Sequence, residues 1–148
     1  MNFYSTEEQE LAAEFETQGF VVRPVADLVA LDRIRDLVFT LAQETAVGLP
    51  DDPAAALNQL HNHVAPVELN EARLNIIHGI NERNWTRPAF FAVARPWLEQ
   101  LVGNELAMQL RLNLSIQMPQ DDSSLLPIHS DAWGGDSPFE VVVWLPLV

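Results

Sequence analysis

The chain has no cysteine. That removes disulfides, thiolate nucleophiles and cysteine-based zinc sites, and leaves any metal to His, Asp or Glu, ligands suited to iron, manganese or zinc. Positive charge is also scarce: 8 arginines and lysines face 21 acids, a formal net charge of −13. A surface of that sign excludes the basic face with which proteins grip nucleic-acid phosphates, and it is repelled by anionic membranes. No apolar run reaches spanning length and no basic amino terminus leads into an apolar core, so neither a membrane helix nor a signal peptide is expected. The expected compartment is the cytoplasm. Glycines stand together only at Gly134-Gly135, which offers no phosphate loop or dinucleotide fingerprint, and there is no G-x-S-x-G element. What remains is a chain of 148 residues, 48% of them apolar, enough for one domain with a real core.

The first hundred residues read as helical. Ser5-Thr6-Glu7-Glu8 has the form of a capping box ahead of Leu11 and Phe15. Gly19 ends that helix, and Phe20-Val21-Val22-Arg23-Pro24 reads as a short strand closed by proline. A second helix from Asp27 carries Leu31, Ile34, Val38 and Leu41 on one stripe and ends by Gly48-Leu49-Pro50. Asp51-Asp52-Pro53 starts a short helix, with acids at its amino end and proline in its first turn. Leu69, Ala72, Ile76 and Ile80 mark another, Thr86-Arg87-Pro88 opens an aromatic-rich one, and Pro96 begins a further turn or two ending at Gly103.

The pattern then changes. Over residues 108–118, Leu110, Leu112, Leu114 and Ile116 alternate with Gln109, Arg111, Asn113, Ser115 and Gln117, a period of two that predicts a strand. Residues 125–129 read as a second strand, and residues 139–147 as a third, too apolar throughout for a wet face. The expectation is therefore an α+β domain, helical over 1–103 and β-rich over 104–148.

The candidate chemistry lies in Pro127-Ile128-His129-Ser130-Asp131-Ala132-Trp133. On an extended segment His129 and Asp131 share a face, so both can reach one ion. His-x-Asp is the sequence-local part of the 2-His-1-carboxylate triad of non-haem iron oxygenases, although a chain of this composition contains such a pair by chance about one time in four. The bland alternative is a turn histidine beside a capping aspartate. Together with Phe139-Glu140-Val141-Val142-Val143-Trp144-Leu145-Pro146-Leu147, the segment resembles the phytanoyl-CoA dioxygenase superfamily of Fe(II)/2-oxoglutarate-dependent oxygenases. It looks most like a bacterial branch associated with carbohydrate-biosynthesis clusters.

That resemblance implies helices packed on a partial double-stranded β-helix, or jelly roll. It implies Fe(II), 2-oxoglutarate and O2 as cofactor and co-substrates, and a small polar, carbohydrate-related substrate. His129 and Asp131 match two iron ligands. Gln109-Leu110-Arg111-Leu112-Asn113 is similar to a strand of the ectoine hydroxylase branch, which implies Asn113 at 2-oxoglutarate and Gln109, with Arg111, toward substrate. Gln117 and Trp144 would border the 2-oxoglutarate pocket, and Trp133 would line the substrate. The family also uses a later histidine and an arginine, and neither residue type occurs after His129. The chain is accordingly expected to be the amino-terminal part of a longer protein. Two rivals stand beside this reading. One is a non-catalytic binding or assembly module, self-associating through an exposed β edge. The other is a cupin-like metal or sugar-binding protein using His61 and His63, with His78 able to join them.

Overall fold

A computed structural model describes residues 3–120, 127–129, 133, 135–137 and 139–148. Their order is α1 (Thr6–Gln18), α2 (Leu28–Thr45), α3 (Pro53–Asn58), a 3-10 turn (Leu60–Asn62), α4 (Leu69–Asn81) and α5 (Thr86–Val102). The chain divides into two compact units: Met1–Ile34 with Arg83–Leu112, and Arg35–Glu82 with Asn113–Val148.

In the first unit α1 starts as its sequence requires. The Ser5 hydroxyl accepts from the Glu8 amide at 3.2 Å, and the Glu8 carboxylate accepts from the Ser5 amide at 2.6 Å, satisfying two amides that the helix cannot. It ends at Gly19, whose φ of 76° is the left-handed region a side chain resists. Its buried residue is Leu11, and the helix packs against α5.

The predicted strand after Gly19 does not form. Residues 20–24 are instead laced to the helices by single bonds. Arg23 pairs with Glu14 of α1 at 2.6 Å, the indole of Trp97 donates to the Pro24 carbonyl at 3.0 Å, and the Ala26 amide donates to the Val93 carbonyl at 2.9 Å. The last two contacts flank Pro96. The expected break there is absent, and α5 runs through the proline as one helix. Pro96 has no amide to give the Ala92 carbonyl and its ring crowds the turn before it, a cost of about 3 kcal/mol in an isolated helix. Tertiary bonds to the adjacent turn offset part of it.

In the second unit Val38, Leu41 and Ala42 of α2 are buried, as are Ala56, Leu60, and Ala72, Ile76 and Ile80 of α4. Asp52 caps α3 by accepting from the Ala55 amide at 2.8 Å, with Pro53 in the first turn. Gly79 lies on α4 against Leu41, so close that a Cβ would overlap the leucine methyls.

The expected jelly roll is overturned. Among the described residues there is no strand, and the architecture is helical with extended tails. Residues 111–118 and 141–148 nevertheless keep a period of two, although Leu110, expected on the inward face, is 81% exposed. Leu112 is buried and Leu114, Ile116 and Met118 are half-buried, while Arg111, Asn113, Ser115 and Gln117 are exposed. Val141, Val143, Leu145 and Leu147 are likewise half-buried, and Val142, Trp144, Pro146 and Val148 exposed. The last run therefore does have a wet face, against expectation. Alternation decides which way side chains face, but a sheet also needs a neighbouring ladder, and none is formed. Part of the expected strand over 125–129 lies outside the described residues.

Two outcomes follow for stability. Gly79→Ala gains roughly 1 kcal/mol of helix propensity but overpacks the Leu41 contact by about 1–3 kcal/mol, so urea unfolding should show a net loss. Combined with Leu41→Ala, which alone costs about 2–5 kcal/mol, the pair should be less damaging than the sum of the singles.

Acid should also weaken the fold. The Arg23 guanidinium holds the Glu14 carboxyl below its ordinary 4.5, and hydrogen bonds from Ser5 do the same for Glu8. A carboxyl depressed in the folded state stabilises fully above its unfolded pKa, and the contribution is lost as pH falls through the lower folded value. Comparing urea midpoints at about pH 6 and about pH 3, Glu14→Gln should show a smaller acid loss than the native chain.

Candidate functional site

The sequence places its candidate residues on three extended stretches, and each is held differently. Residues 108 and 109 lie in the first unit, where Arg87 of α5 donates from Nε to the Gln109 carbonyl and from Nη2 to the Met108 carbonyl, both at 3.0 Å. This two-carbonyl grip fixes the backbone from which the exposed side chains of Gln109 and Arg111 project.

Asn113 and Gln117 belong to the second unit. Both are exposed on the same face of an extended run, with Ser115 between them. The Gln117 amide nitrogen donates to Ser115 Oγ at 2.8 Å, which orients its carbonyl oxygen. Three polar side chains in a row at period two form a short hydrogen-bonding edge. Ser115 was not among the residues singled out from sequence, although the same alternation places it there.

His129 is exposed, and its Nδ1 lies 2.7 Å from the Pro127 carbonyl. A carbonyl can only accept, so the contact is a hydrogen bond when Nδ1 is the protonated nitrogen, the tautomer in which Nε2 is the ligating atom. Metal-ligating histidines are characteristically oriented in this way, with the other ring nitrogen donating to a carbonyl or carboxylate. Asp131 lies outside the described residues. Trp133 and Trp144 are 82% and 78% exposed. Among the described residues no three His, Asp or Glu side chains stand together as a metal-ligand set. The donor types therefore suit iron without completing its coordination, and no oxidative step is derived.

Two of the rival histidines belong to the 3-10 turn and the third to α4. His61 sits on the 3-10 turn and His63 caps it, with the His63 ring 3.2 Å from the Val47 carbonyl across the loop that ends α2. That contact closes the α2–α3 connection beside Gly48. His78 is exposed on α4.

No family model matches the chain, and neither a curated protein nor a solved structure does. No helix among the described residues is long and apolar enough to cross a membrane.

The proton position at His129 is directly measurable. Long-range 1H–15N spectra should assign the neutral ring to the Nδ1-protonated tautomer, against the Nε2-protonated form that predominates in free imidazole side chains.

Proposed function

We propose that the chain carries the iron-binding edge of an Fe(II)/2-oxoglutarate-dependent oxygenase of the phytanoyl-CoA dioxygenase type, with His129 and Asp131 as two of the iron ligands. The observation that supports the reading is the His129–Pro127 contact, the kind of bond by which the non-ligating nitrogen of a metal-binding imidazole is held. The resemblance of the surrounding segment supplies the metal and the co-substrate. When bound, iron with 2-oxoglutarate and O2 supplies the oxidant for hydroxylating a C–H bond; the chain's own contribution is to orient ligands and hold the co-substrate. Asn113 and Gln117, exposed on one face, with Gln117 braced by Ser115, are the amides assigned to 2-oxoglutarate. Gln109, Arg111 and Trp133 are assigned to a small polar, carbohydrate-related substrate. Facial coordination needs a third protein ligand in addition to His129 and Asp131. The proposal concerns ligands and their orientation, and it requires no sheet within this chain.

Anaerobic titration with Fe(II) and 2-oxoglutarate tests the reading. A visible charge-transfer band should form, disappear in His129→Ala, and persist in His63→Ala. A band that survives His129→Ala and is lost in His63→Ala overturns it in favour of the cupin-like alternative. No band with either form leaves a non-catalytic binding module, the reading favoured by the exposed Val142, Trp144 and Val148.

A further inference from the structure

Residues 141–148 combine three properties that belong together in an edge strand. Their side chains alternate between half-buried and exposed positions. They include no charged residue, in a chain of net charge −13. Among the described residues one hydrogen bond reaches their backbone, from Arg35 Nε to the Leu147 carbonyl at 3.0 Å. In an extended chain the N–H and C=O groups of successive residues point to opposite edges. The odd-numbered positions therefore present theirs toward the Arg35 side, and Val142 and Trp144 present theirs away from it. Among the described residues the backbone groups of Val142 and Trp144 have no hydrogen-bond partner. Val142 is 51% and Trp144 78% exposed. Proteins commonly blunt such an edge with lysine, and this chain contains none.

We infer that this run dimerises the chain by pairing antiparallel with the same segment of a second copy, Val142 lying opposite Trp144 across a two-fold axis at Val143. The register follows from the available donors. Pro146 has no amide hydrogen, and the Glu140 amide is already given to the Ser137 carbonyl at 3.0 Å. With Val142 opposite Trp144, Pro146 falls opposite Glu140, so the two positions without a free donor meet and the ladder stops there. An unrelated strand would have no reason to match that spacing. On the exposed face each Trp144 covers a Val142, an aromatic–β-branched cross-strand pair made twice by symmetry. The two copies repel through their net charge, so salt should strengthen the association by screening. The inference is independent of iron binding and uses Trp144 as an interface side chain.

Sedimentation of the native chain tests it. A reversible dimer should appear at roughly 10–500 µM, as befits a short interface, and tighten as salt is raised. Val142→Lys should weaken it at least about tenfold, whereas Val148→Lys, an equal change of charge beyond the ladder, should leave it within about twofold. Since the chain has no cysteine, Val143→Cys places one thiol opposite its own symmetry mate, at the spacing of a non-hydrogen-bonded pair. It should form a disulfide-linked dimer on mild oxidation, and Val148→Cys should not. Circular dichroism of each variant confirms that the helices persist. A monomer up to about 1 mM, a dimer indifferent to Val142→Lys, or cross-linking at position 148 rather than 143 overturns the inference.

Discussion

Guanidinium groups hold the extended parts of this chain. Arg87 takes the carbonyls of Met108 and Gln109, and Arg35 takes that of Leu147. Extended backbone that leaves water must find partners, and a sheet would supply one at alternate residues on each side. Here an arginine reaches out from a helix and satisfies one or two carbonyls per segment. Such bonds are charge-assisted and stronger than neutral ones, about 1.5–3 kcal/mol each. They are also sparse. The side chains of the two runs are sorted into inward and outward sets, and among the described residues the backbone of Val142 and Trp144 is open to solvent or to another chain.

That arrangement explains which features were legible in the sequence. Helix starts depend on groups within a turn of one another, so the Ser5–Glu8 box and the Asp52–Pro53 start could be read directly and are present as expected. The apolar stripes of α2 and α4 were equally readable, because burial of Val38, Leu41, Ala72, Ile76 and Ile80 follows a local period. Pairing is different. Alternation gave the facing over 111–118 but not at Leu110, which is 81% exposed, and the last run alternates where no wet face was expected; whether a ladder forms depends on a neighbour that no local pattern encodes. The same reason defeats the expected break at Pro96: proline disfavours a helix interior locally, and the bonds that support it join its neighbours Val93 and Trp97 to Ala26 and Pro24, far away in sequence.

The candidate site divides along the same line. His129 is oriented by a carbonyl two residues before it, a contact of short range that the Pro127–His129 spacing already permits. Gln117 is braced by Ser115 through the period of two. In contrast, the roles of Arg87 and Arg35 had no signature, since each acts on a carbonyl that any residue type would supply. Exposed tryptophans at 133 and 144 fit a surface awaiting contact as well as they fit a pocket wall. Their chemistry is set by whatever comes to cover them.

The composition of the first unit has a consequence for how the chain is made. Met1–Ile34 joins Arg83–Leu112, so α1 finds its partner α5 only after the intervening helices have been synthesised. Chains emerge at about 5–20 residues per second, so α1 spends several seconds outside the ribosome with its apolar stripe unmatched. Its capping box then acquires a kinetic meaning. By fixing the first turn with contacts from within the same turn, Ser5 and Glu8 favour a helix during an interval when tertiary packing is not yet on offer.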